Sequence, residues 1–159
     1  MKPIIDHIQI TVKSLEVAEP FYDRLMPILG FDINQKSKGT VKEHEFDVIE
    51  YFHPLLIFAI NSPREAFKKD TIHRRKPGAI HHLAFKAESC DEVDSLYPLI
   101  KNVGADIVKP PQYYPHHGEN YYALFFNDLE GIKYEIVYDK VVSFVSDNDL
   151  LGYCYCELN

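Results

Sequence analysis

The sequence predicts an α+β fold in which two βαβββ modules surround one central cavity. A length of 159 residues suits a single domain, and 46% hydrophobic residues, with 10 Phe and 11 Tyr, can supply its core. An internal repeat gives the modules, because IDHIQITV at 5–12 matches IHHLAFKA at 80–87 with an offset of 75 residues. Both segments alternate like half-buried strands. A helix on one face of each half-sheet leaves the other face free to line the cavity.

The first repeat strand is followed by a segment with helical spacing that ends at Gly30. Ser14 can cap this helix, and Pro20 fits best in a first helical turn. We therefore expect a break near Glu19. We also expect Pro27 to bend or end the helix, because proline lacks the backbone N–H that the helix needs.

The second helix carries clearer signals at both ends. Ser89 and Glu92 fit a capping box, in which each side chain satisfies the backbone N–H of the other residue. Gly104 suits the left-handed position that follows a helix C-terminus. It lies 74 residues after Gly30, so the two helices occupy equivalent places in the repeat with a slip of one residue.

Three extended segments follow each glycine and complete the βαβββ order of each half. They are predicted at 31–35, 45–52 and 55–61 in the first half, and at 106–109, 121–127 and 132–138 in the second. The resulting organisation is a single domain over 1–140, with module one at 4–61, a basic linker at 62–78 and module two at 79–139. The tail at 141–159 lies outside the repeat, and its apolar residues predict packing on the domain or on a partner chain.

The charge distribution bears on the possible partners. The net charge of −7 argues against non-specific nucleic-acid binding, which depends on neutralised phosphates. The basic linker, by contrast, holds six Lys and Arg residues against two acids. Such a segment is either a solvated face or a basic rim that attracts an anionic small substrate.

The apolar runs are too short to cross a membrane, and the start of the chain lacks the pattern of a signal peptide. We therefore expect no membrane association and a cytoplasmic location. Three cysteines do not form a disulfide framework, so we interpret them as reduced thiols. Cys154 and Cys156 could bind a soft metal, but two thiols alone are a weak signal.

Strand alternation selects three candidate metal ligands. In the first strand the apolar residues face the helix, so His7 points the other way. By the same reasoning His82 points into the cavity while His81 faces the helix side, and Glu135 points across from the last strand. Two imidazoles and a carboxylate suit Fe(II) or another divalent metal with open coordination positions. Each residue alone could be an ordinary core or surface group, but two histidines at equivalent repeat positions favour a site.

A polar and aromatic loop at 113–122 precedes a predicted strand. His117 and Tyr121 in this loop are candidate general acid or base residues beside the metal. The alternative is a surface loop in which the aromatic rings simply pack. Loops on a rigid scaffold often carry function, so both residues are kept as candidates.

The sequence resembles the vicinal oxygen chelate superfamily over about residues 4–138. The resemblance rests on IDHIQITVKSLEVAEPFYDRLMPILGF, HHLAFKAES and YYALFFNDLEGIKYEIVYD. This superfamily groups glyoxalase I, extradiol dioxygenases, fosfomycin-resistance enzymes and bleomycin-binding proteins, built from paired βαβββ modules in a glyoxalase-like fold. The resemblance implies that the metal ligands fall on His7, His82 and Glu135, and it makes a homodimer plausible.

The sequence departs from the glyoxalase I pattern in one strand. Glyoxalase I takes a fourth ligand, which also supplies the catalytic base, from the last strand of the other module. Here that strand reads LLIFAI at 55–60 and contains no acid. A glyoxalase I reaction would need Glu45, Glu50 or His53 to reach the cavity from a neighbouring strand.

We therefore expect a divalent-metal-dependent enzyme, with Fe²⁺, Mn²⁺, Ni²⁺ or Zn²⁺ as the candidate ions. The first expectation is a lyase or isomerase whose small-molecule substrate binds the metal through two neighbouring oxygens. One alternative is an extradiol-type Fe(II) dioxygenase. Another is a metal-free protein that sequesters a drug or metabolite, as the bleomycin-binding relatives do.

Overall fold

The computed structural model describes residues 4–139, and the tail prediction for 141–159 lies outside these residues. Module one contains β1 (His7–Thr11), α1 (Leu15–Ile28), β2 (Asp32–Val41), β3 (Phe46–His53) and β4 (Leu56–Asn61). Its strands form one sheet in the order β1-β4-β3-β2. β1 runs parallel to β4, and the other neighbours are antiparallel.

Module two repeats this arrangement. It contains β5 (Leu83–Lys86), α2 (Cys90–Asn102), β6 (Asp106–Tyr113), β7 (Tyr122–Asn127) and β8 (Lys133–Tyr138). The second sheet has the order β5-β8-β7-β6, again with one parallel and two antiparallel pairs. The predicted α+β fold of two βαβββ modules is therefore confirmed. No helix within residues 4–139 is long and apolar enough to cross a membrane.

The first helix is continuous, so the predicted break near Glu19 is wrong. Ser14 caps α1 as predicted, accepting a hydrogen bond from the backbone N–H of Val17 at 3.4 Å. Pro20 lies inside the helix and is exposed. Five residues of α1 are buried in the core, and packing of such a face outweighs the local cost of a proline. They are Ala18, Phe21, Tyr22, Leu25 and Met26.

The second helix shows half of the predicted capping box. The hydroxyl of Ser89 accepts a hydrogen bond from the backbone N–H of Glu92 at 3.0 Å. The Glu92 carboxylate accepts instead from the backbone N–H of Glu88, at 2.6 Å. Gly104 has a φ of 94°, the left-handed conformation that was predicted for it.

β6 extends four residues beyond the predicted segment. The sequence pattern ends at 109 because Pro110 and Pro111 follow, and proline cannot donate to a ladder. β6 lies at the edge of its sheet, where prolines are tolerated, and its pairing with β7 shifts between Lys109 and Gln112. Edge position therefore explains why the strand continues to Tyr113.

The two modules share one hydrophobic core. Tyr22 of α1 stacks on Phe58 of β4, with ring centroids 5.7 Å apart. Its hydroxyl donates to Asp128 in module two at 2.6 Å and lies 2.7 Å from the hydroxyl of Tyr134. This buried polar contact joins the modules on the helix side of the sheets, so the opposite faces remain for a site.

Candidate functional site

The site is built around Glu135 on β8. Its neighbours Tyr134 and Ile136 are buried on the helix side, so alternation places Glu135 on the opposite face. Glu135 is nevertheless 1% exposed. Burial of a carboxylate is costly unless hydrogen bonds or charges compensate it, so its contacts are informative.

Both oxygens of the Glu135 carboxylate have partners. The Tyr121 hydroxyl donates a hydrogen bond to Oε1, with the two oxygens 2.5 Å apart. The Nε2 atom of His82 lies 3.2 Å from Oε2, and the His82 side chain is 35% exposed. Burial is the largest cause that raises the pKa of Tyr121, and the hydrogen bond to Glu135 raises it further. The phenol therefore stays protonated near neutral pH. The structure thus brings three of the five predicted site residues together.

His81 contacts this group although the sequence predicts it on the helix side. Its Nδ1 atom shares a hydrogen bond with Nδ1 of His82 at 2.8 Å, and it is exposed. The parity argument fails here because β5 begins only at Leu83, and alternation applies within a strand. Desolvation and the neighbouring His82 lower the pKa of His81. The contact fixes the His82 ring with Nε2 towards Glu135.

His117 lies next to Tyr121, in the loop between β6 and β7. Their ring centroids are 5.2 Å apart, and the loop is closed by the Tyr114 backbone N–H donating to the Tyr121 carbonyl at 2.8 Å. Tyr114 packs edge-on against Phe125 of β7, the strand neighbour of Glu135, at 5.2 Å. Tyr114 and Phe125 were not singled out from the sequence, because aromatic residues in loops and strands are common.

His7 is not part of this group within one chain. Its side chain is 62% exposed, and Nδ1 lies 2.8 Å from the carboxylate of Asp6. Within residues 4–139 there is no group of three or more His, Cys, Asp and Glu residues that could hold a metal ion. The convergence of three ligands in a single chain is therefore not found. Parity places His7 on the correct face, but β1 and β5 belong to separate sheets, so a shared face does not bring His7 close to His82.

Comparison with known proteins identifies the family. A sequence model of the Glyoxalase/Bleomycin resistance protein/Dioxygenase superfamily matches residues 4–136. The chain belongs to this superfamily. An uncharacterized Bacillus subtilis protein, YqjT, is 28% identical over 131 residues, which cover 82% of this chain and 95% of that protein.

Solved structures agree with the superfamily fold. A candidate glyoxalase from Bacillus halodurans is 28% identical, with a TM-score of 0.67 over 87% of this chain and 97% of that one. The fosfomycin resistance protein FosX from Listeria monocytogenes is 18% identical, with a TM-score of 0.57 over 87% of this chain and 93% of that one. The FosX likeness concerns the fold alone.

The strand register tests for the extra ligand that the glyoxalase I pattern requires. In module two Ala84 pairs with Glu135, and in module one Gln9 pairs with Ala59. His82 lies two residues before Ala84, and His7 lies two residues before Gln9. Ala59 therefore holds the place in module one that Glu135 holds in module two. The structure therefore has Ala59 at the position where the glyoxalase I pattern has an acid.

Of the three substitutes considered from the sequence, Glu50 alone shares the correct face. Glu50 pairs with Ala59 and accepts a hydrogen bond from Ser37 at 2.8 Å. Glu45 is exposed in the β2–β3 hairpin, 3.7 Å from Arg64. His53 has the parity of the buried Tyr51 and packs against Phe31, with ring centroids 5.4 Å apart.

The donor chemistry of His82 and Glu135 fits a divalent metal ion. An imidazole nitrogen and a carboxylate oxygen are ligands of Fe(II), Mn(II), Ni(II) and Zn(II), and a ligand histidine characteristically bonds its other nitrogen to a neighbour. His82 does so through His81. The described residues of one chain place two such donors, His82 and Glu135, in contact. A site with three protein ligands therefore needs a further ligand from outside this pair.

Proposed function

We propose that this protein is a cytoplasmic, divalent-metal-dependent enzyme, a lyase or isomerase that acts on a small molecule through two neighbouring oxygens. His82 and Glu135 of one chain and His7 of a second copy would hold the ion in a homodimer. The observation that carries the proposal is the contact between the His82 imidazole and the buried Glu135 carboxylate. His7 supports it, because it lies at the equivalent repeat position and its side chain is 62% exposed, where a second chain can reach it.

Each residue has a distinct role in this proposal. The bound ion would supply Lewis-acid stabilisation of negative charge on substrate oxygens. Tyr121 holds one oxygen of Glu135 and fixes the carboxylate orientation, while His81 fixes the His82 ring. These two contacts orient the ligands before the ion binds, which lowers the cost of organising the site.

Two residues are candidates for moving a proton. His117 lies beside Tyr121, and an imidazole can act as a general acid or base. Glu50 lies on the same face of sheet one as His7 and would approach the site from the second copy. Glu50→Gln and His117→Ala should each lower turnover while leaving metal binding unchanged.

The first test is anaerobic titration of metal-stripped protein with Fe(II), Mn(II), Ni(II) and Zn(II). We expect one tight site per chain in the wild type, lost in His82→Ala and in Glu135→Gln. His44→Ala is the matched control, because His44 is exposed in the β2–β3 hairpin. If the wild type binds none of the ions, or if Glu135→Gln binds as well as the wild type, the proposal is wrong.

A metal-free binding protein is the second candidate. It is favoured by the fact that Tyr121 and His82 already occupy both oxygens of Glu135. In that case a hydrophobic cationic drug would raise the melting temperature and no divalent ion would. Oxygen uptake with a catechol under Fe(II) would instead favour the extradiol dioxygenase.

A further inference from the structure

A cavity lies between β1 and the end of the basic linker. Its volume is about 330 Å³, within the range of small-molecule sites. Gln9 and Thr11 of β1 form one side, and residues between 71 and 80, from the end of the linker into the start of module two, form the other. His7, His82, Glu135 and Tyr121 do not line this cavity, although Gln9 and Thr11 share the face of β1 that carries His7.

The charged groups of the cavity all have one sign. Arg74 and Lys76 line it together with His73, and no Asp or Glu is among its lining residues. Arg64 and Lys68, earlier in the linker, have carboxylates of Glu45 and Glu65 within 3.7 Å and 2.5 Å.

The cations of the cavity lack such partners. Within residues 4–139, neither Arg74 nor Lys76 forms an ion pair with a carboxylate. The Lys76 ammonium is held by the backbone carbonyl and the hydroxyl of Thr71, which leaves its charge uncompensated. Two cations that lack a carboxylate partner in the described residues therefore line the cavity.

Arg74 and Lys76 together make the potential of the cavity positive. No counter-charge in the lining cancels this potential, so an anion entering the cavity would be attracted by Arg74 and Lys76 together.

Beside the polar Gln9, Thr11 and Thr71, the lining contains several aliphatic side chains. These are Ile10 on β1, Ile72 in the linker, Ile80 at the start of module two and Ile132 before β8. A site of this composition would be poor for inorganic phosphate alone, because the isoleucines would remain in contact with water. It suits a ligand with one anionic group and an aliphatic body.

We propose that the cavity between β1 and the linker binds a small organic anion with an aliphatic body, such as a medium-chain carboxylate. Arg74 would bind the carboxylate directly, since a guanidinium can donate two parallel hydrogen bonds to it. The isoleucine side chains would cover the aliphatic part.

Calorimetric titration of the full, metal-free chain with octanoate tests this inference. Because no metal is present, octanoate binding can fail while the metal titration succeeds, and the reverse, so the two proposals are tested separately. We expect octanoate to bind, with an affinity that rises about twofold or more for each methylene added from acetate upward. Octylamine and octanol should bind much more weakly.

The matched pair of variants is Arg74→Gln and Arg75→Gln. Both remove one positive charge from adjacent positions, but Arg75 does not line the cavity. Arg74→Gln should weaken octanoate binding about five- to tenfold, and Arg75→Gln less than about twofold. Equal effects of the two variants, affinity for octanoate no higher than for acetate, or no octanoate binding at all would each overturn the inference.

Discussion

At the scale of residues, the site depends on how one buried carboxylate is satisfied. Glu135 is almost fully buried and has Tyr121 on one oxygen and His82 on the other. The Tyr121 hydroxyl donates a hydrogen bond to this carboxylate, so a positioning role for Tyr121 follows from the geometry. The acid or base role that the loop sequence indicates for Tyr121 stays a prediction.

Tyr121→Phe tests the positioning role. Removing the hydroxyl frees Oε1 of Glu135, so we expect metal affinity to fall by about 10- to 100-fold. Titration of the variant with the ion preferred by the wild type measures this. Tyr114→Phe is the control, because its hydroxyl contacts only the Gln112 side chain in the described residues and its loss should leave metal affinity unchanged. Wild-type affinity in Tyr121→Phe would contradict the role.

At the scale of secondary structure elements, tertiary packing overrides local signals. α1 continues through Pro20, and β6 continues through Pro110 and Pro111. Local sequence predicts that prolines end elements, but a buried helix face and a sheet edge each tolerate them. His81 shows a different error. The alternation of β5 was applied to His81, although His81 precedes the first residue of that strand.

Pro20→Ala should stabilise the protein. Pro20 is exposed and interior to α1, so alanine restores a backbone hydrogen bond without loss of packing, and we expect the free energy of unfolding to rise by about 1–3 kcal/mol. Urea denaturation measures it. Pro54→Ala in the β3–β4 turn should have the opposite sign, because alanine there only adds freedom to the unfolded chain. A less stable Pro20→Ala would show that proline is needed in the helix.

At the scale of the whole molecule, the repeat and the fold follow directly from the sequence, whereas the assembly of the site does not. The offset between His7 and His82 indicates two modules, and alternation correctly identifies the faces that lie away from the helices. Neither property fixes the position of one sheet relative to the other. The contact between modules depends on Tyr22, Asp128 and Tyr134, whose pairing has no local sequence signal.

This contact between modules predicts a pH dependence. Burial raises the pKa of Asp128, so its protonated form is favoured in the folded state. Its contribution to stability is then fully present below the ordinary carboxyl pKa and is lost as the pH rises through the raised value. Relative to Asp128→Asn, the wild type should therefore lose free energy of unfolding as pH rises across this window. Denaturation at a series of pH values measures the difference, and a pH-independent difference would contradict the assignment.

The central claim is that His82 and Glu135 of one chain bind a divalent ion together with His7 of another. The most direct test is metal binding by a refolded equimolar mixture of His7→Ala and His82→Ala chains. Statistical heterodimers with a site shared between chains would regain about a quarter of the wild-type sites, although each variant alone binds weakly. A mixture of His82→Ala and Glu135→Gln is the control and should regain no sites. Each site takes both His82 and Glu135 from one chain, so every site in this mixture lacks one of them. Binding by the first mixture no greater than that of its components, or full binding by His7→Ala alone, would contradict the account.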